Sequence, residues 1–167
     1  YHGLPVYETP VGFKYLGDFI LKNKVTMVAE ESEGFSMKGH LPEKDGILAG
    51  LLVAEMVGRK GKDLPQLRDE LFAKVGPVYT RRINLRLADE VKERLMARLP
   101  TPPARIADLA VTQHVSIDGH KYILEDGSWL CLRPSGTEPV VRLYLEAHSP
   151  EALEKLKQAG QALVEQV

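Results

Sequence analysis

The sequence holds a single cysteine, Cys131, which excludes an internal disulfide and fits a reducing, cytoplasmic setting. It lacks any apolar run near the roughly 18 residues needed to cross a bilayer, so no membrane span is predicted. The start of the chain carries no basic segment followed by an apolar stretch of the kind that marks a signal peptide. A surplus of positive charge is also missing: 22 Lys and Arg face 23 Asp and Glu, for a formal net charge of -1. Proteins that grip a nucleic-acid backbone carry a clear basic excess, so no nucleic-acid partner is expected and any bound anion must be small and locally held. The five histidines, at positions 2, 40, 114, 120 and 148, never fall three or four residues apart. That spacing offers no zinc-like ligand set.

What is present is a globular inventory, 44% apolar and 27% charged, with enough chain for one domain or two small ones. Leu4 to Tyr7 reads as extended, and a helix with its start near Gly12 follows on the spacing of Tyr15, Leu16, Phe19 and Ile20. Val25 to Ala29 reads as a buried strand, leading into the acidic loop Glu30-Glu31-Ser32-Glu33-Gly34. Asp45 is placed as an N-cap for an apolar helix over Ile47 to Val57, broken over Gly58 to Lys62. Another helix begins at Asp63-Leu64-Pro65 and stops before Gly76-Pro77.

Gly76-Pro77 is the expected boundary, dividing a unit over 1–80 from one over 81–167. Val78 to Leu85 reads as an extended linker into the second unit, followed by a helix over Leu87 to Leu99 that Pro100 to Pro103 stops. Ile106 to Val115, Tyr122 to Leu124, Ser128 to Arg133 and Val140 to Ala147 read as strands. Asp118-Gly119 and Asp126-Gly127 supply turns between them. Cys131 is expected in core packing. Ser149-Pro150 starts the last helix. The fold class is thus an α/β partial domain followed by an α+β domain, the latter a four-stranded, mainly antiparallel sheet with two helices.

Between the last two strands lies Arg133-Pro134-Ser135-Gly136-Thr137-Glu138-Pro139. A guanidinium offers a planar fork of donors that matches phosphate, the hydroxyls of Ser135 and Thr137 add donors, and Gly136 suits a backbone nest. A strand connection whose arginine meets a surface carboxylate has the same composition. Lys44, near a helix start, can help hold an anion, and the carboxylates of the Glu30 loop can accept from sugar hydroxyls.

Taken in order, Glu8-Thr9-Pro10-Val11-Gly12-Phe13-Lys14, Ala29-Glu30-Glu31-Ser32-Glu33-Gly34, Glu43-Lys44-Asp45-Gly46-Ile47 and Arg133 to Pro139 resemble the α-D-phosphohexomutases, and most of all the phosphoglucomutases among them. The resemblance covers the whole chain but only the later part of the family pattern, the back of the third domain plus the fourth. It implies that Glu30 and Ser32 hold sugar hydroxyls, that Lys44 and Gly12 contact the phosphosugar, and that His40 stands in a family-like position. It implies a phosphate-binding loop of Arg133, Ser135, Gly136 and Thr137, supported by Arg142.

Two positions depart from the pattern. Ala29 stands where the family has glycine, which restricts the backbone, and Glu33 adds negative charge beside the loop. The family's phosphoserine loop and its Asp-rich magnesium loop do not occur in this sequence. The resemblance therefore implies a C-terminal portion of an enzyme that interconverts hexose 1-phosphate and hexose 6-phosphate through glucose 1,6-bisphosphate or its analogue. Magnesium ligands and catalytic serine are expected on missing N-terminal domains, which with the hexose phosphate are the expected partners. A non-catalytic phosphosugar-binding module is the alternative.

Overall fold

The computed structural model of the chain describes residues 3–136 and 138–166. It divides into two compact units, Tyr1–Lys74 and Val75–Val167.

The first unit opens without regular structure; no strand forms over Leu4 to Tyr7. Helix α1 (Phe13–Leu21) starts at Gly12, whose φ of 131° is a conformation that favours glycine. Strands β1 (Met27–Ala29) and β2 (Phe35–Met37) form an antiparallel pair with Val28 opposite Ser36. The expected buried strand over Val25 to Ala29 is therefore shorter and less covered: Val28 is buried, but Met27 and Ala29 on either side are exposed. Phe13, Ile20 and Val28 form a small apolar cluster with Leu16 and Val25 against it. Gly17 lets α1 approach the chain at Pro42, since a Cβ there would lie 2.3 Å from the Pro42 carbonyl oxygen.

Asp45 caps helix α2 (Gly46–Lys60) by accepting from the Ile47 and Leu48 N–H groups. The helix runs through Gly58, where a break was expected, and ends at Gly61 in the left-handed conformation with φ 62°. An isolated glycine costs a helix only about 1 kcal/mol, so Gly58 weakens the pattern without stopping it. Helix α3 (Leu64–Val75) follows.

The second unit is a single antiparallel sheet under two helices. Its strands are β3 (Tyr79–Arg86), β4 (Arg105–Ile106), β5 (Leu109–Val115), β6 (His120–Leu124), β7 (Trp129–Pro134) and β8 (Val140–Ala147). They lie in the order β3-β8-β7-β6-β5-β4, six strands where four were expected. Two local facts account for the difference. Val78 to Leu85 is no linker: β3 pairs with β8 from Tyr79 opposite Ala147 to Arg86 opposite Val140. The run from Ile106 to Val115 is folded into two strands by Ala107 and Asp108, which take φ values of 50° and 66°.

Alternation decides which face is covered. Leu130 and Leu132 of β7, and Val141, Leu143 and Leu145 of β8, share one core with Leu95 and Leu99 of α4 (Asp89–Arg98) and its C-cap, and with Leu153, Leu156 and Val164 of α5 (Pro150–Glu165). At Gly160 a Cβ would stand 3.0 Å from Leu143, so α5 sits directly on β8. Ser149 caps α5 by accepting from the Ala152 N–H. Trp129, Cys131, Arg133, Arg142 and Tyr144 point to the other face, where each is half-buried. Cys131 is thus excluded from the core it was expected to join, because its place in the alternation puts it opposite Leu130 and Leu132.

Candidate functional site

In the second unit the site forms where β7 and β8 leave their hairpin. The register sets Arg133 directly opposite Arg142, and like charges in that relation destabilise a strand pair. Each arginine is met by one carboxylate. Nε of Arg133 lies 3.0 Å from Oδ1 of Asp118, close enough for an ion pair although its N–H is not aligned for a hydrogen bond. Arg142 Nη2 donates to Glu138 Oε2 at 2.7 Å. Burial works against the Arg133 charge, but Asp118 and then the Tyr144 hydroxyl outweigh it and hold the pKa above its ordinary value. For Arg142 the Glu138 hydrogen bond acts in the same direction, with Tyr144 next.

The Tyr144 hydroxyl thus stands near both guanidiniums. Its oxygen and the two Nε atoms are buried without hydrogen-bond partners among the described residues. A buried polar group without a hydrogen bond costs about 1–3 kcal/mol, so Arg142 Nε and the Tyr144 oxygen, beside an Arg133 Nε held only by an ion pair, mark a site whose polar groups are not arranged for stability alone.

The connecting loop is closed by its own serine. Ser135 N–H donates to the Val140 carbonyl at 2.9 Å, and its Oγ accepts from the Glu138 N–H at 3.2 Å. Ser135 is buried. Gly136 is exposed, has no positive φ, and would present its Cβ to nothing within 4 Å. The nest expected from Gly136 thus has no left-handed residue at that position, and the glycine leaves open space instead. Thr137 lies outside the described residues.

In the first unit, Glu30 and Lys44 come together. Lys44 Nζ is 3.9 Å from Glu30 Oε2, and Gly34 lets the two side chains pass, since a Cβ there would lie 2.7 Å from that oxygen and 3.4 Å from Lys44 Cδ. The turn between β1 and β2 is tied by Glu30 N–H to Gly34 O at 2.8 Å and by Glu33 N–H to Glu30 O at 3.2 Å. Glu33 takes φ 71°, a left-handed conformation that costs a non-glycine residue roughly 1–2 kcal/mol. Ala29, by contrast, ends β1 in extended backbone, so the restriction expected from losing glycine there has no consequence. Ser32 is exposed in the same turn.

His40 Nε2 and Asp45 Oδ2 are 2.8 Å apart. Asp45 therefore caps α2 with one oxygen and fixes the imidazole with the other. Its carboxyl is held below its usual value by the Leu48 N–H first and by His40 next. Gly12, at the start of α1, accepts from the Tyr15 N–H at 3.1 Å through its carbonyl.

Three participants were not legible in the sequence. Asp118 reads there only as half of an Asp-Gly turn, and Tyr144 as one residue of an alternating strand. Glu138 lies inside the motif, but nothing in the linear order pairs it with Arg142. Among the described residues no group of three or more His, Cys, Asp or Glu could hold a metal ion, so the residues present do not fit the magnesium that the resemblance implies. Likewise, among the described residues no helix is long and apolar enough to cross a membrane.

Comparison with known proteins matches both units to one family. Residues 1–75 match the family pattern described as phosphoglucomutase/phosphomannomutase, alpha/beta/alpha domain III, and residues 83–160 match the C-terminal domain of the same family. A probable phosphomannomutase of Haemophilus influenzae is 32% identical over 157 residues, covering 86% of this chain and 32% of its own length. A probable phosphoglucosamine mutase of Pyrococcus abyssi is 32% identical, covering 97% of this chain and 34% of its own. The chain thus spans about a third of the length of these curated relatives. The crystal structure of a putative phosphomannomutase from Thermus thermophilus superposes with a TM-score of 0.77 at 33% identity, over 98% of this chain and 32% of that one. With both domain patterns matched in order and the fold shared, this chain belongs to the phosphoglucomutase/phosphomannomutase family, matching its domain III pattern and then its C-terminal domain pattern.

Proposed function

We propose that this chain is the substrate-holding C-terminal portion of a hexose-phosphate mutase. Arg133, Ser135, Gly136 and Thr137, with Arg142, bind the phosphate that is not reacting. Glu30, Ser32, Lys44, His40 and Gly12 serve the sugar end. One observation carries the reading: two arginines, each met by one carboxylate, stand directly opposite each other beside the connecting loop, a pair of guanidiniums that one phosphate can engage together.

The work of these residues is positioning, with no bond made or broken on them. In the whole enzyme a phosphoserine passes its phosphoryl group to the free hydroxyl of the hexose phosphate. The bisphosphate, glucose 1,6-bisphosphate in the glucose case, then turns over and returns its other phosphoryl group to the serine. Serine and magnesium loops belong to the remaining domains of the same cytoplasmic protein, which are this chain's partners.

Calorimetry with glucose 1-phosphate tests the phosphate assignment. Arg133→Ala is expected to lower affinity at least tenfold, and undiminished binding by the variant sinks it. The isolated chain is expected to give no glucose 6-phosphate from glucose 1-phosphate, and robust turnover would show that the missing loops are dispensable.

A further inference from the structure

We infer that Asp118, with Gly119 behind it, is the positioning device for the phosphate-binding Arg133. The inference rests on the phosphate role proposed above. It starts from the β5–β6 hairpin, whose tip at Asp118 and Gly119 touches Arg133 at two points. Asp118 Oδ1 stands 3.0 Å from Nε, the guanidinium nitrogen nearest the backbone. Gly119, at φ 84°, packs on the root of the same side chain: a Cβ there would lie 2.6 Å from Leu132 O, 2.8 Å from Arg133 Cβ and 3.0 Å from Arg133 Cα.

A long arginine side chain carries about 2 kcal/mol of rotamer entropy, and a ligand must otherwise freeze it. Here one end is gripped by a glycine that admits the close approach, and the other is met by a carboxylate at Nε. The Arg133 side chain is only 15% exposed, while Asp118 is 30% exposed. Tyr144, near both guanidiniums, stands on the neighbouring strand. A carboxylate at Nε fixes the plane of the guanidinium and leaves the terminal nitrogens as the fork for phosphate.

The sign of one substitution separates positioning from simple charge balance. Asp118 is negative beside an anion site, so if it only neutralised Arg133, Asp118→Asn would tighten phosphate binding. Positioning demands the reverse. Asp118→Asn is expected to weaken glucose 6-phosphate binding on the order of tenfold, with the backbone amide spectrum otherwise retained.

A second measurement needs no ligand. The order parameter of the Arg133 Nε–Hε vector, high where the side chain is held, is expected to fall below about 0.6 in Asp118→Asn. Unchanged or tighter binding by Asp118→Asn, or an unchanged Nε–Hε order parameter, overturns the positioning role and leaves the phosphate assignment standing, provided that Arg133→Ala still loses affinity. If Arg133→Ala binds as well as the unaltered chain, or if the unaltered chain binds no glucose 6-phosphate, the phosphate assignment falls and this inference falls with it.

Discussion

The two units are of comparable length yet differ sharply in what they bury. Among the described residues the second unit gathers fourteen buried side chains in one cluster and the first gathers three, so chain length does not set the difference. The sheet does. Six paired strands give α4 and α5 one broad surface to cover, whereas β1 and β2 form a ribbon too small to cover three helices. Helix α2 shows the consequence. Its apolar residues fall on more than one side, yet Ile47 is 79% and Leu51 65% exposed, and no residue of α2 or α3 is buried among those described. Helix α2 thus lacks the cover that a helix apolar on several sides calls for.

The strongest way to break this comparison is to empty one core and watch the other. Leu143 is fully buried in β8, and Leu143→Ala is expected to cost about 3 kcal/mol. Trp129, the one tryptophan, lies in β7 and reports on the second unit during denaturant unfolding. Val28→Ala in the first unit is expected to leave the Trp129 transition within about 0.5 kcal/mol while accelerating amide exchange in β1 and β2. If Val28→Ala moved the Trp129 transition as far as Leu143→Ala does, the units would share one cooperative core and the contrast would be lost.

The same contrast explains what the sequence could reveal. The strands over Ser128 to Arg133 and Val140 to Ala147 were legible from their apolar runs, and β7 and β8 form there. Caps at Asp45 and Ser149 were equally legible, because a capping side chain bonds within three residues of itself. What failed was pairing across long separations. Nothing near Val78 to Leu85 announces β8 as its partner, and nothing near Asp118 announces Arg133, since both contacts exist only once the sheet has closed. Backbone angles at Ala107 and Asp108 were hidden for another reason. Left-handed residues other than glycine are too rare for composition to signal them.

A smaller loss is expected from a single oxygen within the larger core. The Tyr122 hydroxyl donates to the Leu99 carbonyl at 2.6 Å, joining the sheet to the end of α4 in a fully buried place. Tyr122→Phe removes the donor and strands the carbonyl, at a cost of about 1–2 kcal/mol in the Trp129-detected transition. Burial, and next the Cys131 charge, push the Tyr122 hydroxyl pKa up to about 12. Titration followed by ultraviolet absorbance should therefore lose one late-ionising tyrosine in Tyr122→Phe. A variant as stable as the parent would mean that α4 is held by its leucines alone.

The smallest expected effect is a slope in pH, and it also belongs to the second unit. His114 Nε2 and His120 Nδ1 are 3.0 Å apart with their rings stacked at 5.2 Å, and Tyr122 lies against His114. Burial, and then the neighbouring His114, hold the His120 pKa below its ordinary 6.5. The folded chain therefore keeps His120 neutral at a pH where the unfolded chain has already taken up a proton. Wherever the unfolded state binds more protons, stability rises with pH. The penalty is absent well above 6.5 and grows as pH falls below it. Carboxylates such as Asp126, held low by Ser128 against its burial, lose their contribution only at more acid pH, from about 4 downward. Between about pH 7.5 and 5 the Trp129 transition should thus shift toward lower denaturant, and His120→Gln should flatten most of that slope. The Glu30–Lys44 unit contains no such stacked imidazole pair among its described residues, so amide exchange in β1 and β2 should not follow the same curve. If it did, the titrating group would lie elsewhere than His120.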